Sequence, residues 1–525
     1  MLRCNHEMSG SKGRVLVVGG AGYVGSAVCA WLLDRGYSVT ILDNLTTGHR
    51  ELVLSGARFV LGQTGDRALI ARTLSSAFYS CVMHFAAKSI VPESVEKPQE
   101  YEENNVHQTK VLIEECEKAG IQAFVFSSTA AVLGTPATDQ LLDESAPCVP
   151  ITPYGQNKLD VENHLKARAT SGGIRAICLR YFNAAGAESQ TRVGEWHYPE
   201  THLIPRILQS ALEDQPAQIF GTDYPTRDGT CIRDYVHVSD LAQAHEAAMT
   251  RLLSRSGEAF EVFHLGSGNG YSVREVINEC RKVTGLDIQV NEKPRRAGDP
   301  PFLVASSARA KAALSYSPSL GLSEIISSAW DWERKKRASW SKKAVFLDRD
   351  GTINEDPGYL SDPALLKLLP GVREALSQLR QAGFQLVVVS NQSGVSRGLI
   401  KREVLSEIHA KLDLLLGDSA PNRYELCLHH PDEACDCRKP EPKLLIDAAA
   451  SLGIDLSQSF MVGDKQSDVD AGFRAGCRGV GLVRTGDGAR TESNLSQALK
   501  AGSMKPSFIG NGLPDVVRWI LSSKI

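Results

Sequence analysis

No stretch of the 525-residue chain stays apolar for the ~20 residues that a bilayer crossing needs. The strongest early run, Arg14–Val18 and then Val24–Leu33, is broken by Gly19, Gly20, Gly22 and Gly25. There is neither a basic tail nor an acidic block, and the net charge is only -3, which argues against a protein that coats nucleic acid. Twelve cysteines are too sparse for a disulfide scaffold, so reduced thiols and cytoplasmic residence are expected. Residues 1–13 form a polar tail containing Glu7, a poor signal peptide. Internal repeats and low-complexity segments are missing as well. What remains is the composition of a core-forming protein, 42% hydrophobic and 23% charged, long enough for several globular units. Neither a nucleic acid nor a membrane is expected as partner.

Apolar, β-branched runs alternate with helical patterns twice over. The first series begins with Val15–Val18, Val39–Leu42, Ser80–Phe85, Ala123–Ser127 and Ala176–Leu179, with helices such as Ser26–Arg35 and His107–Ala119 between them. The second starts afresh at Val345–Leu347 and continues through Gln385–Val389, Glu425–Leu428, Ser459–Val462 and Gly479–Val483. Such alternation predicts α/β architecture with parallel strands and crossover helices. A charge run from Trp332 to Lys343 separates the two series. The expected division is therefore a tail over 1–13, a first domain over 14–334, a linker over 335–343 and a second domain over 344–525.

In the first half, a strand runs directly into Gly19-Gly-Ala-Gly-Tyr-Val-Gly25, and a helix follows. Gly19 permits the tight turn, Gly22 lets backbone approach a pyrophosphate, and Gly25 allows close helix packing. Asp43 ends the next strand, where a carboxylate accepts hydrogen bonds from the adenosine ribose and repels a 2′-phosphate, favouring NAD over NADP. Further on, Tyr154 and Lys158 stand four apart and share a helix face. The ammonium is expected to lower the phenol pKa and give a base usable near neutral pH. Upstream, Phe126-Ser127-Ser128-Thr129 ends a strand, where a hydroxyl can bridge tyrosine and substrate.

These motifs, with Asp43-Asn-Leu-Thr-Thr-Gly48, His84-Phe-Ala86, Asn104-Asn-Val106, Arg180-Tyr-Phe-Asn183, Phe220–Thr230, Arg233–Val238 and Arg295–Asp299, make the region from about 14 to 335 resemble the UDP-galactose (UDP-glucose) 4-epimerases of the extended short-chain dehydrogenase/reductase family. The resemblance implies a Rossmann domain with a small substrate-binding subdomain. Tyr154 would be the base and acid, Lys158 the contact to the cofactor ribose, and Thr129 the bridging hydroxyl. NAD would lie against Gly19, Gly22, Tyr23, Val24, Gly25, Asp43, Asn44, Phe85, Ala86, Asn105, Tyr181 and Phe182. The uridine diphosphate end would be held by Asn183, His202, Leu203, Phe220, Arg233, Arg295 and Asp299. Gln63 follows Gly62 where the family often has aspartate, and Ser89, beside Lys88, replaces a lysine seen in some members. A tyrosine that gates the sugar in glucose-restricted members falls on Leu303. The implied reaction oxidises the sugar at C4 and reduces it again on the other face, and members of this family are often homodimers. A nucleotide-sugar dehydratase or decarboxylase is the alternative, disfavoured because Ala130-Ala131 follows Thr129 where a dehydratase carries an acidic pair.

In the second half, a strand ends in Asp348-Arg-Asp350-Gly-Thr352. Carboxylates at i and i+2 point the same way, so one can attack phosphorus while the other manages the leaving group's proton. Ser390-Asn-Gln-Ser-Gly394, Arg438-Lys439-Pro440 and Gly463-Asp464-Lys-Gln-Ser-Asp468 follow, each at a strand end or in a loop. Separately, Cys427, His429, Cys435 and Cys437 within eleven residues suit tetrahedral Zn²⁺, with His430 as the alternative imidazole that the Cys-x-His spacing disfavours, a structural clip for the loop that carries Arg438 and Lys439. The ordered aspartate set resembles the haloacid dehalogenase superfamily phosphatases. That resemblance implies Asp348 as nucleophile, Asp350 as acid and base, Ser390 or Asn391 with Lys439 as the phosphoryl grip, and Arg438 as a further substrate contact. Mg²⁺ would sit on Asp348, the backbone of Asp350, and Asp464. Asp348–Asn354, Gly358-Tyr359, Asn391–Gly398 and the zinc loop resemble the D-glycero-D-manno-heptose 1,7-bisphosphate 7-phosphatases, while the short zinc loop is closer in length to that of the histidinol-phosphate phosphatases. The expected protein is thus a fusion acting on UDP-sugars and on a sugar phosphate. A scaffold of catalytically dead domains is the non-enzymatic alternative, disfavoured by the intact Tyr154/Lys158 pair and aspartate set.

Overall fold

Strand registers follow from the apolar runs, because β-branched side chains fill a pleated surface that helices cover on both faces. The computed structural model describes residues 12–135, 140–197, 200–296 and 299–523. Residues 1–11 of the expected tail, and Ala297 and Gly298 of the Arg295–Asp299 motif, lie outside the described residues. The chain divides into two units, Met1–Lys335 and Lys336–Ile525.

The strands of the first unit are β1 (Arg14–Val18), β2 (Ser38–Asp43), β3 (Arg58–Leu61), β4 (Cys81–His84), β5 (Ala123–Thr129), β6 (Arg175–Tyr181), β7 (Asn183–Ala185), β8 (Ala217–Phe220), β9 (Ile232–His237), β10 (Phe260–Leu265), β11 (Gly270–Ser272), β12 (Val290–Lys293) and β13 (Phe302–Leu303). Seven of them form one sheet in the order β10-β6-β5-β4-β1-β2-β3, parallel at every pairing. Both faces are covered: Val15 and Val17 pack with Val28 and Leu32, whereas Leu16 and Val18 pack with Ile70 and Leu112 on the other side. Strand order reverses between β1 and β4, which opens a crevice at their C-terminal ends. A smaller body is built from β11-β9-β13 with β7 on β9, and from β12 on β8. Its core includes Ile204, Leu208, Ile219, Ile277 and Ile326. β3 and β10 flank the main sheet and are absent from the sequence expectation. β3 is short and only half-buried, so its pattern is weak.

The second unit has β14 (Lys343–Leu347), β15 (Phe384–Asn391), β16 (Arg423–Cys427), β17 (Phe460–Gly463), β18 (Gly479–Val483) and β19 (Phe508–Gly510). They form a six-stranded parallel sheet in the order β16-β15-β14-β17-β18-β19. Val345 and Leu347 enter one apolar layer and Ala344 and Phe346 the other. The charge run read as a linker is mostly helical, since the helix Leu322–Ser339 continues through it and β14 begins at Lys343. Among the described residues no helix is long and apolar enough to cross a membrane.

Candidate active sites

The glycine turn joins β1 to the helix Tyr23–Asp34. Gly19 has φ +81°, and a Cβ there would lie 2.4 Å from the Ala86 nitrogen. A Cβ on Gly25 would collide with the Gly19 carbonyl oxygen, so this glycine serves packing within the turn itself. Gly22 differs: its nearest neighbour to a Cβ would be the Gly19 oxygen at 3.4 Å, leaving one side open at a helix N-terminus, as a pyrophosphate requires. Asp43 closes the floor of the crevice. Its Oδ2 accepts from Ala21 N at 3.0 Å and its Oδ1 from Leu45 N at 2.8 Å. Burial pushes this carboxyl up, opposed by those backbone hydrogen bonds. Phe85 and Ala86 both donate backbone N–H to Val18 O, which fixes the far wall. Asn105 is buried and clasps the Lys88 backbone through both ends of its amide. The Lys88 ammonium itself bonds Glu100. Asn44 is exposed, its Oδ1 accepting from Thr46 N. These features fit a dinucleotide.

One strand further on, β5 ends at Thr129 and the helix Pro153–Thr170 presents Tyr154 and Lys158. Thr152 caps that helix by accepting from Gly155 N, and Pro153 occupies the first turn, so Tyr154 is placed at the very start. The Thr129 hydroxyl stands beside Tyr154, near enough to pull its phenol down. Lys158 is buried, donates to Ser127 O at 2.8 Å and stands 5.9 Å from the Tyr154 ring centroid. The expected lowering of the phenol pKa is not what the surroundings produce. Burial pushes Tyr154 up to about 12, with only the Thr129 hydrogen bond opposing it. Burial also pulls Lys158 down to about 8, against the pull of Glu162. The reason is that the ammonium is spent on a strand-end carbonyl while both groups are dry. Tyr181 bonds Ser127 beside the pair.

The remaining first-unit residues gather around β9. Asn183 donates to Asp234 O at 2.8 Å. Arg233 reaches Asp299 Oδ1 at 2.9 Å, and Arg295 bonds Asp223 and lies over the Tyr224 ring. Phe220 lies under Arg296. Leu303, opposite Arg233 in register, joins the apolar cluster of Val132, Leu133 and Phe182 just beyond Thr129. His202 and Leu203 open the helix Leu203–Leu212, but the His202 imidazole is turned onto Glu200 and Glu195 at 2.9 and 3.0 Å. Sequence reasoning missed those two carboxylates.

In the second unit, Asp348, Asp350, Ser390, Asn391, Gln392 and Lys439 line one pocket at the C-terminal edge of the sheet, and Asp356, Tyr359 and Lys465 stand at its mouth. Lys439 Nζ lies 2.7 Å from both Asp348 and Asp468. Burial and the neighbouring carboxylates push Asp348 up, with Lys439 opposing, and push Asp464 up to about 8. Asp348, Asp464 and Asp468 form a buried carboxylate group, and Asp464 Oδ1 has no hydrogen-bond partner. Such crowding suits a divalent cation. The Asp350 carboxylate is not in this group, so among the expected Mg²⁺ ligands it offers only its backbone. It is held by Arg349, Asn354 and Gln392, which keep it below the usual carboxylate range despite burial. Asn391 is likewise committed elsewhere: its amide pairs reciprocally with the Lys439 backbone at 3.0 and 3.1 Å. Ser390 and Lys439 line the same pocket without that engagement of the side-chain amide. Arg438 does not line the pocket. Asp468, Arg349 and Gln392 lie within the sequence motifs but receive no role there, although Asp468 stands four residues after Asp464 on the same strand-to-helix turn.

The donor atoms of Cys427, His429, Cys435 and Cys437 lie within 4.8 Å of one another. Cys427 Sγ is 3.7 Å from both Cys435 Sγ and His429 Nδ1, and His429 Nδ1 is 3.2 Å from Cys437 Sγ. Zinc–sulfur bonds of ~2.3 Å in a tetrahedron demand sulfur separations of about 3.8 Å.

A glycine turn at the switch point of a parallel sheet, with a buried Tyr/Lys pair one strand away, defines a Rossmann-type dinucleotide enzyme in the first unit. Comparison with known proteins sharpens this. Residues 15–266 match the NAD dependent epimerase/dehydratase family. A UDP-glucose 4-epimerase of Halalkalibacterium halodurans is 44% identical over 329 residues, spanning 62% of this chain and 97% of that protein. The crystal structure of UDP-glucose 4-epimerase from Brucella ovis in complex with NAD is 41% identical with a TM-score of 0.59, covering 61% of this chain and 98% of that one. The UDP-Glc/GlcNAc 4-epimerase of Campylobacter jejuni is 36% identical with a TM-score of 0.54, over 62% of this chain and 99% of that one. The chain belongs to the NAD dependent epimerase/dehydratase family. Its second unit is HAD-like, matching the HAD-hydrolase-like family over residues 436–515.

Proposed function

We propose that the protein is bifunctional: the first unit interconverts UDP-hexoses at C4 with a resident NAD, and the second hydrolyses a sugar phosphate. The observation that carries the first half is the buried Tyr154/Lys158 pair beside Thr129 at the end of β5, placed against an open glycine turn. NAD, when bound, supplies the exchangeable hydride. Thr129 relays between the sugar 4-hydroxyl and Tyr154, which as its phenolate, the form the positive charge of bound NAD+ would favour, takes that proton and later returns it. Lys158 reaches the cofactor ribose. Arg233, Arg295 and Asp299 hold the uridine diphosphate end while the hexose swings to present its other face. UDP-glucose is the substrate the relatives' names give, UDP-galactose is its 4-epimer, and Leu303, smaller than a tyrosine, extends the reading to N-acetylated hexoses.

In the second unit Asp348 attacks phosphorus and carries the phosphoryl group as an acyl phosphate. Asp350, oriented by Arg349, Asn354 and Gln392, gives its own proton to the leaving oxygen and, ionised by that donation, takes one from the attacking water. Ser390 and Lys439 hold the phosphoryl oxygens, and Asp468 positions Lys439. Mg²⁺ on Asp348, Asp464 and the backbone of Asp350 would neutralise charge between nucleophile and phosphate. Zn²⁺ on Cys427, His429, Cys435 and Cys437 would brace the loop leading to Lys439. Heptose 1,7-bisphosphate is the first substrate to test, since Asp356, Tyr359 and Lys465 make a polar mouth over the aspartates. The test is direct: ultraviolet absorbance of the purified protein reads bound NAD(H), and panels of UDP-sugars and sugar phosphates read each activity. Protein free of nucleotide and inert toward UDP-hexoses would reject the first half, and inertness toward every sugar phosphate with Mg²⁺ the second.

A further inference from the structure

Between β7 and the helix Leu203–Leu212 the chain passes through Glu195, His197, Glu200 and His202, none of which the proposed chemistry employs as a cluster. Their donor atoms lie within 4.8 Å of one another. His202 Nδ1 is 3.0 Å from Glu195 Oε1 and 2.9 Å from Glu200 Oε1. His197 Nδ1 is 3.5 Å from Glu195 Oε1 and 3.5 Å from Glu200 Oε2. A tetrahedron with bonds of 2.0–2.1 Å to nitrogen and oxygen has edges of about 3.3 Å, which these separations bracket.

A second observation concerns two atoms of the set. His197 Nδ1 and Glu200 Oε2 are both buried and hydrogen-bonded to nothing. They face each other without hydrogen-bond geometry, and the Glu200 side chain is only 5% exposed. Buried polar atoms in that state are costly unless something else satisfies them. Charge points the same way: two carboxylates and two neutral imidazoles balance one divalent ion. Without it, balance needs two imidazolium rings whose centroids are 4.7 Å apart.

We infer that Glu195, His197, Glu200 and His202 form a second transition-metal site, of the borderline nitrogen/oxygen kind that Zn²⁺ occupies. Four protein donors leave no open position, so the ion is structural. Its place in the fold indicates what it braces. The His197 ring lies 6.3 Å from the ring of Tyr23, which begins the helix after the glycine turn and bonds Gly186 O. The ion therefore ties the segment that presents Leu203 to the wall of the dinucleotide crevice.

The full chain with Cys435→Ser, stripped with chelator and reloaded with Co²⁺ in excess Mg²⁺, isolates this site. Tetrahedral cobalt on imidazole and carboxylate gives visible d–d bands, without the intense near-ultraviolet band of cobalt on thiolate. The expected result is such bands in that protein. Adding His197→Ala or Glu200→Gln should abolish them and weaken Co²⁺ binding at least ~10-fold, with circular dichroism unchanged. Glu200→Gln, which alters one atom, keeps the test valid if His197→Ala fails to fold. Absence of visible bands in the Cys435→Ser protein, or their survival in both added variants, would overturn the inference and leave the cluster as an imidazolium–carboxylate network.

Discussion

At the C-terminal edge of its sheet the first unit gathers glycines, hydroxyls and one buried amine, whereas the second gathers carboxylates around one buried amine. Lys158 and Lys439 are both dry, yet their environments pull in opposite directions. Burial dominates at Lys158 and lowers it to about 8. At Lys439 the attraction of Asp348 and Asp468 overrides burial and raises it. Parallel sheets thus supply the same kind of ledge, and the sign of the charge placed on it decides whether the site suits proton and hydride exchange or phosphoryl transfer.

The sharpest way to break the comparison is to disable each ledge separately. Tyr154→Phe should reduce epimerisation by roughly 10³-fold or more and leave phosphatase turnover unchanged, and Asp348→Asn should do the reverse. Loss of both activities from either change in folded protein would mean the two units are not independent. Next in size is the thiolate clip. Cys435→Ser should remove zinc, seen by elemental analysis, and destabilise the second unit alone by several kcal/mol, on the order of 10 °C in its melting step.

A subtler effect follows from the crowded aspartates. Burial and mutual repulsion raise Asp348 and Asp464 above ordinary carboxyls. In metal-free protein those groups hold protons that the unfolded chain has released, so their contribution favours the fold in acid and is lost as pH rises toward about 8. Mg²⁺ must displace the same protons. Its stabilisation of the second unit, measured by thermal shift, should therefore grow from pH 6 to pH 8, and a shift that shrinks with pH would contradict the cluster as the cation site. The smallest expected effect lies at Leu303. Leu303→Tyr should lower kcat/KM for UDP-N-acetylglucosamine by about 10–100-fold while UDP-glucose changes little, and equal losses would show that Leu303 is not the gate.

Much of this was readable in the chain because the motifs are short and sit at strand ends. Gly19–Gly25, Tyr154/Lys158 and Asp348/Asp350 are each carried by a single element or turn. What stayed hidden depends on neighbours brought in from elsewhere. Arg349 reads as a spacer between two aspartates, yet it is buried and clasps Asp350. Asn391 reads as a phosphate ligand, but the fold lays the Lys439 backbone across it. The phenol of Tyr154 illustrates the limit best: helical spacing places Lys158 nearby, but spacing cannot show that the Ser127 carbonyl claims its ammonium. β3 escaped because it is short and half-buried, and β10 because Glu261 and His264 interrupt its apolar run.

The division at Lys335/Lys336 falls inside the helix Leu322–Ser339, whose Trp332 covers Gly194 and donates its indole N–H to Glu195 O at 2.8 Å. Anyone cutting the gene to obtain the halves separately should respect this anchor. A first half ending before Trp332 would lose the plug over Gly194 and free the segment bearing Glu195 and His197, so its failure would say nothing about autonomy. Ending that half after Ser339, and starting the other just ahead of Lys343, keeps both the plug and the first strand of the second sheet.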